Sequence, residues 1–227
     1  MTDSRPPQHL LSSISYLAEL DEAAQSAIAR NAVRREYAAG EMVFVQGDAC
    51  TGLHLVAGGW LKVFKLAPSG REQVMRFVGP GEAVGEFAVF ASTPQPASVS
   101  TLEPATLWLI RRESLLGLLQ ERPAISQAVI TALARRVEHL LALVEDLSLR
   151  TVEARLARYL LQAADEDVVR RHRWTTQAEL AARLGTVLEV LNRALRSLVE
   201  AGLIALDRQR IVILDREGLQ RRADADG

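Results

Sequence analysis

The chain has 227 residues, 48% of them apolar and 24% charged, with a formal net charge of −1. These are ordinary globular proportions, which exclude a disordered chain or a collagen-like repeat and leave room for one large domain or two small ones. The single cysteine, Cys50, excludes an internal disulfide, a Cys-cluster zinc site and an iron–sulfur cluster held by cysteines of one chain.

No apolar run is long enough and free enough of charge to span a bilayer. The first eight residues are polar, include Pro6-Pro7 and lack a secretory pattern, so a cytoplasmic protein without a membrane partner is expected. Charge is uneven: residues 1–149 carry 13 Arg+Lys against 16 Asp+Glu, and the remaining residues carry 14 against 12. An excess of two cations over the last third is too weak to establish nucleic-acid binding by itself.

In chain order, residues 8–35 predict short helices, with Leu17, Leu20, Ala24, Ile28 and Val33 loosely periodic. From Tyr37 to Ile110 short apolar runs alternate with turn residues such as Gly47-Asp48, Gly58-Gly59, Pro68-Ser69-Gly70 and Gly79-Pro80-Gly81. Many short strands at this spacing predict an all-β sandwich or barrel. His54 alternates with Leu53 and Leu55, which predicts an outward-facing imidazole.

At Pro123 the period changes. Ile130, Leu133, Val137, Leu140, Val144 and Leu147 recur in steps of three and four, the heptad spacing that keeps two helices on one seam. Leu141 and Leu143 widen the apolar surface. Homodimerisation through this helix is the expectation, and packing of the helix on its own domain is the alternative. His139 falls off the seam and is expected to be solvated.

Beyond Thr151 an amphipathic helix (Leu156, Tyr159, Leu160, Ala163) and a charged loop, Asp165-Glu166-Asp167, lead to Thr176. Thr176 with Glu179 three residues on is a capping box. Ala181 and Gly185 permit a close crossing and a sharp turn, and Leu191, Leu195 and Leu198 line the inner face of a second helix. Two short strands around Arg208-Gln209 complete a wing at the end of the chain. Helix-turn-helix plus wing points to DNA.

Taken together, the chain resembles the cyclic-AMP receptor protein / fumarate–nitrate reductase regulator family over nearly its whole length. Gly79-Pro80-Gly81-Glu82-Ala83-Val84-Gly85-Glu86-Phe87-Ala88-Val89-Phe90 is similar to that family's PGE…GE…LF signature. The resemblance implies an α+β fold: a cyclic-nucleotide-binding-like β-roll (jelly roll, residues 1–122), a long dimerisation helix (123–149) and a winged helix-turn-helix domain (150–227). It implies a homodimer that couples an effector signal to a palindromic operator, with RNA polymerase as a further partner and no enzymatic activity. The length, the pocket departures and the stretch from Ile204 to Arg216 look most like the dissimilatory nitrate respiration regulators.

The effector pocket departs from the family pattern. Gly85 and Glu86 match, but the Arg-Ser pair expected ten positions after the Glu reads Pro96-Ala97. The hydroxyl-bearing positions of the dimer helix read Leu140-Leu141. A cyclic phosphate needs a guanidinium and a hydroxyl at such a site, and no substitute cation is evident nearby in the sequence. Cyclic AMP is therefore not expected as effector, and Gly85-Glu86 read as a turn glycine and a carboxylate satisfying local backbone amides. An iron–sulfur cluster is not expected either. His9 is the one histidine carried as a haem ligand candidate.

On the second helix, Glu189, Asn192 and Arg193 share one exposed face. Glu accepts from cytosine N4, and Arg is bidentate to guanine O6/N7. Leu188-Glu189-Val190-Leu191-Asn192-Arg193 is similar to the redox-sensing branch's apolar-Glu-x-x-Ser-Arg motif, with Asn for Ser, which implies TTGA-like half-sites with one position open. Thr176, Gln177, Arg208 and Arg210 are expected at the DNA, the last two and Gln177 on phosphates. The competing function class is a non-DNA regulatory module built on the same β-roll. Such modules lack a helix-turn-helix with an arginine on its reading face.

Overall fold

The computed structural model describes residues 6, 8–121, 123–170, 172, 174–207 and 210–225. It divides into two compact units, Met1–Lys65 with Met75–His139, and Leu66–Val74 with Leu140–Gly227.

Three short helices come first: α1 (Gln8–Ser12), α2 (Ser15–Ala18) and α3 (Glu22–Asn31). The Asp21 carboxylate caps α3, accepting from the Ala24 amide at 2.9 Å. The strands follow: β1 (Val33–Tyr37), β2 (Met42–Phe44), β3 (Gly52–Gly58), β4 (Leu61–Leu66), β5 (Glu72–Val78), β6 (Ala83–Val84), then α4 (Glu86–Ala91), β7 (Ser98–Thr101) and β8 (Ala105–Arg111). They form two four-stranded sheets, in the orders β1-β8-β3-β6 and β2-β7-β4-β5, with α5 (Arg112–Glu121) after them.

Strand β3 shows the layering. Leu53 and Leu55 are fully buried in a core with Leu11, Leu17 and Ile28 of the helices and Trp108 and Ile110 of β8. Val56 faces the other way, into a second core with Leu61, Val78, Val84, Val99 and Leu107 between the sheets. Alternation therefore puts the side chain of His54 between two sheets rather than in water. The imidazole is 4% exposed, with its ring centre 5.6 Å from that of Phe44, and its Nδ1 has no hydrogen-bond partner among the described residues. This corrects the expectation of an outward histidine: β3 is covered on both faces, so its polar position is no sign of solvent.

Desolvation, with the Arg35 charge second, lowers the His54 pKa from 6.5 to about 4. Above pH 6.5 the folded and unfolded chains both hold a neutral ring. Between 6.5 and 4 only the unfolded chain takes up the proton, so stability falls as pH falls, by about 2 kcal/mol at pH 5 and about 3 kcal/mol at pH 4. Denaturant unfolding from pH 7 to 5 should show this loss, and His54→Leu should lack it, so that the difference between the two proteins reports the His54 contribution. A pH slope equal in wild type and variant would contradict the assignment.

Helix α6 (Pro123–Leu149) has two apolar faces. Ile125 and Val129 are buried in the first core, with Ala128, Ala132 and Leu133 packed against it. Flanking that stripe, Ile130, Val137, Leu141 and Val144 are 55–64% exposed, while Leu140 is 38% exposed.

In the second unit α7 (Val152–Ala163) is capped by the Thr151 hydroxyl, which accepts from the Ala154 amide at 3.1 Å. Then come β9 (Val168–Arg170), α8 (Gln177–Arg183), α9 (Leu188–Glu200), β10 (Ile204–Leu206), β11 (Arg210–Ile213) and α10 (Arg216–Ala223). The wing is a three-stranded sheet, β10-β11-β9. Neither β9 nor α10 was expected from the sequence, which predicted a terminal hairpin alone. The Asp215 carboxylate caps α10, accepting from the Gly218 amide at 2.8 Å, and Leu219 and Ala223 share a core with Leu156 and Leu160 of α7. Arg150 Nη1 donates to the Ala223 carbonyl at 2.6 Å, and Arg222 pairs with Glu153 at 2.8 Å.

Candidate nucleic-acid interface and sensor cluster

The helix-turn-helix is built as its residue types require. The Thr176 hydroxyl accepts from the Glu179 amide at 3.1 Å, which starts α8. Gly185 makes the turn at φ +66°, the left-handed region that side chains with a β-carbon avoid. Leu180 and Ala181 of α8 and Leu191, Ala194, Leu195 and Leu198 of α9 are buried together. Burying that stripe fixes which side of α9 faces out.

The outward side carries the expected readers. The Glu189 and Arg193 side chains are 87% and 70% exposed and lie 4.0 Å apart, a solvated pair that holds little energy in the free protein. Asn192 beside them is half-buried, and Leu188 before them is 45% exposed. Gln177 and Thr176 are exposed at the start of α8. Arg210, at the start of β11, is 57% exposed and 3.3 Å from Asp207. Arg208 lies outside the described residues.

Two further arginines, one on α9 and one on β9, are exposed in this unit. Arg196 is exposed on α9, seven residues beyond Glu189, and its Nε donates to the Asn192 carbonyl at 3.4 Å. Its helical spacing from Arg193 was legible in the sequence. Arg170, exposed on β9, is the Cα partner of Arg210 in the antiparallel β9–β11 pairing. Only the register of an unforeseen strand reveals that one.

The sensor positions lie in the first unit. Gly85, at φ +94°, precedes α4, and a β-carbon there would stand 2.8 Å from the Gly52 carbonyl oxygen. Glu86 does not serve local backbone amides, as the sequence suggested. It accepts from the Tyr16 hydroxyl at 3.1 Å and from Arg136 Nη2 at 3.3 Å, and Arg76 Nη2 is 3.8 Å away. Arg76 also pairs with Glu82 at 3.1 Å and donates to the Ala83 carbonyl. The expectation that no cation stands near Glu86 is thus corrected: Arg76 of β5 and Arg136 of α6 reach it from distant sequence.

Burial, then the Glu86 charge, raises the Tyr16 pKa well above its ordinary value. Burial and Arg136 lower Arg76 to about 10, against the opposing pull of Glu86 and Glu82. Two guanidiniums and two carboxylates balance, and both terminal nitrogens of Arg76 already have acceptors in Glu82 and the Ala83 carbonyl. The adjoining cavity, lined by Tyr16, Glu86, Phe90, Val129, Ala132, Leu133 and Arg136, measures about 10 Å³, the space of about one water. Pro96 is exposed and Ala97 half-buried just before β7. Leu140 and Leu141 are exposed and offer no hydroxyl.

The histidines are scattered. His9 is exposed on α1. His139 is half-buried, with Nε2 3.4 Å from the Met75 carbonyl oxygen, rather than solvated. His172 stacks on Trp174 with ring centres 5.1 Å apart. Among the described residues no three His, Cys, Asp or Glu side chains come together as a metal site, and no helix is long and apolar enough to cross a membrane.

The family profile of the cyclic nucleotide-binding domain matches residues 34–122, and that of the Crp-like helix-turn-helix domain matches residues 154–222. A "CRP-like cAMP-activated global transcriptional regulator" of Mycobacterium tuberculosis is 30% identical over 194 residues, 83% of this chain and 87% of the relative. The "Probable transcriptional regulator flp" of Lacticaseibacillus casei is 32% identical over 211 residues, 91% and 94% of the two chains. The solved structure of FixK2 from Bradyrhizobium japonicum superposes with a TM-score of 0.76 over 86% of this chain and 99% of that one, at 20% identity, a likeness of fold. With a β-roll, a long helix and a winged helix-turn-helix in this order, and regulators of that build as relatives along its length, the chain is a DNA-binding transcription regulator of the CRP/FNR family.

Proposed function

We propose that this regulator binds palindromic operators as a homodimer, presenting α9 of each protomer to a TTGA-like half-site. The observation that carries the reading is the division of α9 into a buried Leu191/Leu195/Leu198 side and an outward side with exposed Glu189 and Arg193 and half-buried Asn192, preceded by Leu188. Glu189 and Arg193 read base edges in the major groove, while Thr176, Gln177, Arg170, Arg210 and Arg208 contact the backbone. The dimer seam runs along α6 through Ile130, Val137, Leu140 and Val144, with Leu141 added. Leu133 turns largely to its own domain, and Leu147 is half-buried. RNA polymerase is the expected further partner, the relatives supply no enzymatic precedent, and the compartment is the cytoplasm.

The effector, on this reading, is not cyclic AMP held in the family manner, although the M. tuberculosis relative is described as cAMP-activated. Pro96-Ala97 and Leu140-Leu141 supply neither the guanidinium nor the hydroxyls, and the charges around Glu86 are balanced by Arg76 and Arg136. Two measurements test the proposal. Selection from randomised duplexes should return a palindrome with TTGA-like halves; recovery of no palindrome would overturn the DNA half of the reading. Calorimetric titration with cyclic AMP should give no micromolar binding; a dissociation constant of ~10 μM or tighter, about −7 kcal/mol, would overturn the effector half.

A further inference from the structure

The second unit holds more arginine than its carboxylates can serve at one place, where the end of α6, α7 and α8 meet. Arg150 and Arg158 take up the two carboxylates there. Asp146 Oδ1 is 3.2 Å from Arg150 Nε and 3.2 Å from Arg158 Nη1, and Glu145 Oε1 is 2.9 Å from Arg150 Nη2 and 3.8 Å from Arg158 Nη1. Two more guanidiniums, Arg155 of α7 and Arg183 of α8, face a cavity with Leu143, Asp146, Tyr159 and Gln162. Arg155 Nε is buried with no hydrogen-bond partner, and neither Arg155 nor Arg183 forms an ion pair among the described residues. Desolvation lowers the pKa of both, with only Asp146, and for Arg183 also Tyr159, pulling the other way. Four cations thus surround two anions.

A partly buried guanidinium whose one nearby carboxylate, Asp146, is already engaged by Arg150 and Arg158 is costly, and an anion in reach of two such groups lowers that cost for both. The cavity measures about 30 Å³. One water needs roughly 10–15 Å³, so there is room for two or three water-sized groups and none for a nucleotide. Gln162 and Tyr159 line the same space, and each carries a hydrogen-bond donor by type. Arg155 Nη1 also lies 3.4 Å from where a β-carbon at Gly185 would stand, so the site abuts the turn between α8 and α9.

We propose that Arg155 and Arg183, with Gln162 and Tyr159, form a binding site for one small monovalent anion of halide or carboxylate size, which ties α7 to the first helix of the helix-turn-helix. This site shares no residue with the DNA-reading face or with the Glu86 cluster.

The test uses the full-length protein and two probes, chloride and acetate, each exchanged against gluconate at constant ionic strength. Chloride-35 NMR should show line broadening by wild type that acetate reverses, with at least severalfold less broadening for Arg155→Gln and for Arg183→Gln. Arg216→Gln, at an exposed arginine, should leave the broadening unchanged. The thermal transition of wild type should rise saturably with chloride or acetate by ~2–4 °C, and that of the two variants should not. Broadening that is absent in wild type overturns the proposal even if neither variant folds, because it leaves water as the occupant. Broadening retained in both folded variants overturns it as well.

Discussion

Val137→Glu should convert a dimeric protein into a monomer at micromolar concentration. Val137 is 55% exposed, one turn beyond Leu133 and on the flank of the α6 stripe that Ile125, Val129 and Leu133 apply to their own core. With parallel helices the new carboxylate meets its own copy across the seam. Desolvating two like charges there costs several kcal/mol, and every 1.4 kcal/mol is tenfold in the dissociation constant. Leu141→Glu, at 64% exposure, should act alike. Leu133→Glu should behave differently, because Leu133 packs against the first core and its loss damages the protomer's fold. Sedimentation gives the assembly state and circular dichroism the fold. A Val137→Glu protein that remains dimeric, or a wild type that is monomeric both free and on DNA, would sink the seam.

Arg193→Ala should cost roughly 1–3 kcal/mol per half-site and relax discrimination at one base pair, because it removes a bidentate base contact. A palindrome uses two copies, so the loss on the full operator roughly doubles if the half-sites act independently. Removal of the Glu189 pair at 4.0 Å contributes little to that figure, since both side chains are solvated. Arg210→Ala and Arg208→Ala should weaken all sequences alike and reduce the salt slope by about 1 per subunit. Arg170→Ala belongs with them by its place opposite Arg210. Selection on randomised half-sites at two salt concentrations separates reader from clamp. An unchanged base preference for Arg193→Ala beside a shifted one for Arg210→Ala would reverse the two roles.

The parts of the fold legible in the sequence are those fixed by local chemistry. The capping Thr176, the turn at Gly185 and the buried leucines of α9 follow from spacing alone, and the structure brings them together as expected. The heptad of α6 was visible as a row of apolar residues, but a sequence does not say which neighbours a row meets. Leu133 turns inward and Leu141 outward because the β-roll claims one side of the helix. His54 was misread for a related reason: alternation assumes one wet face, and β3 has none. The partners of Glu86 were illegible because Tyr16 and Arg136 stand 70 and 50 residues away. Strand β9 has three residues, too few for a period, and α10 shows only an Asp215 cap and a Leu219/Ala223 pair.

The register of β9 against β11 sets two cations side by side, Arg170 across from Arg210. Like charges directly opposite weaken a sheet by a few tenths to about 1 kcal/mol. A neutral β-branched residue such as threonine at position 170 would therefore make the wing sturdier and the operator complex weaker. If the wing contacts DNA as proposed, this pairing trades some of the wing's own stability for binding. Screening for heat-tolerant variants alone would select against Arg170, and a regulator improved in that way would hold its shape longer while losing its grip on the operator.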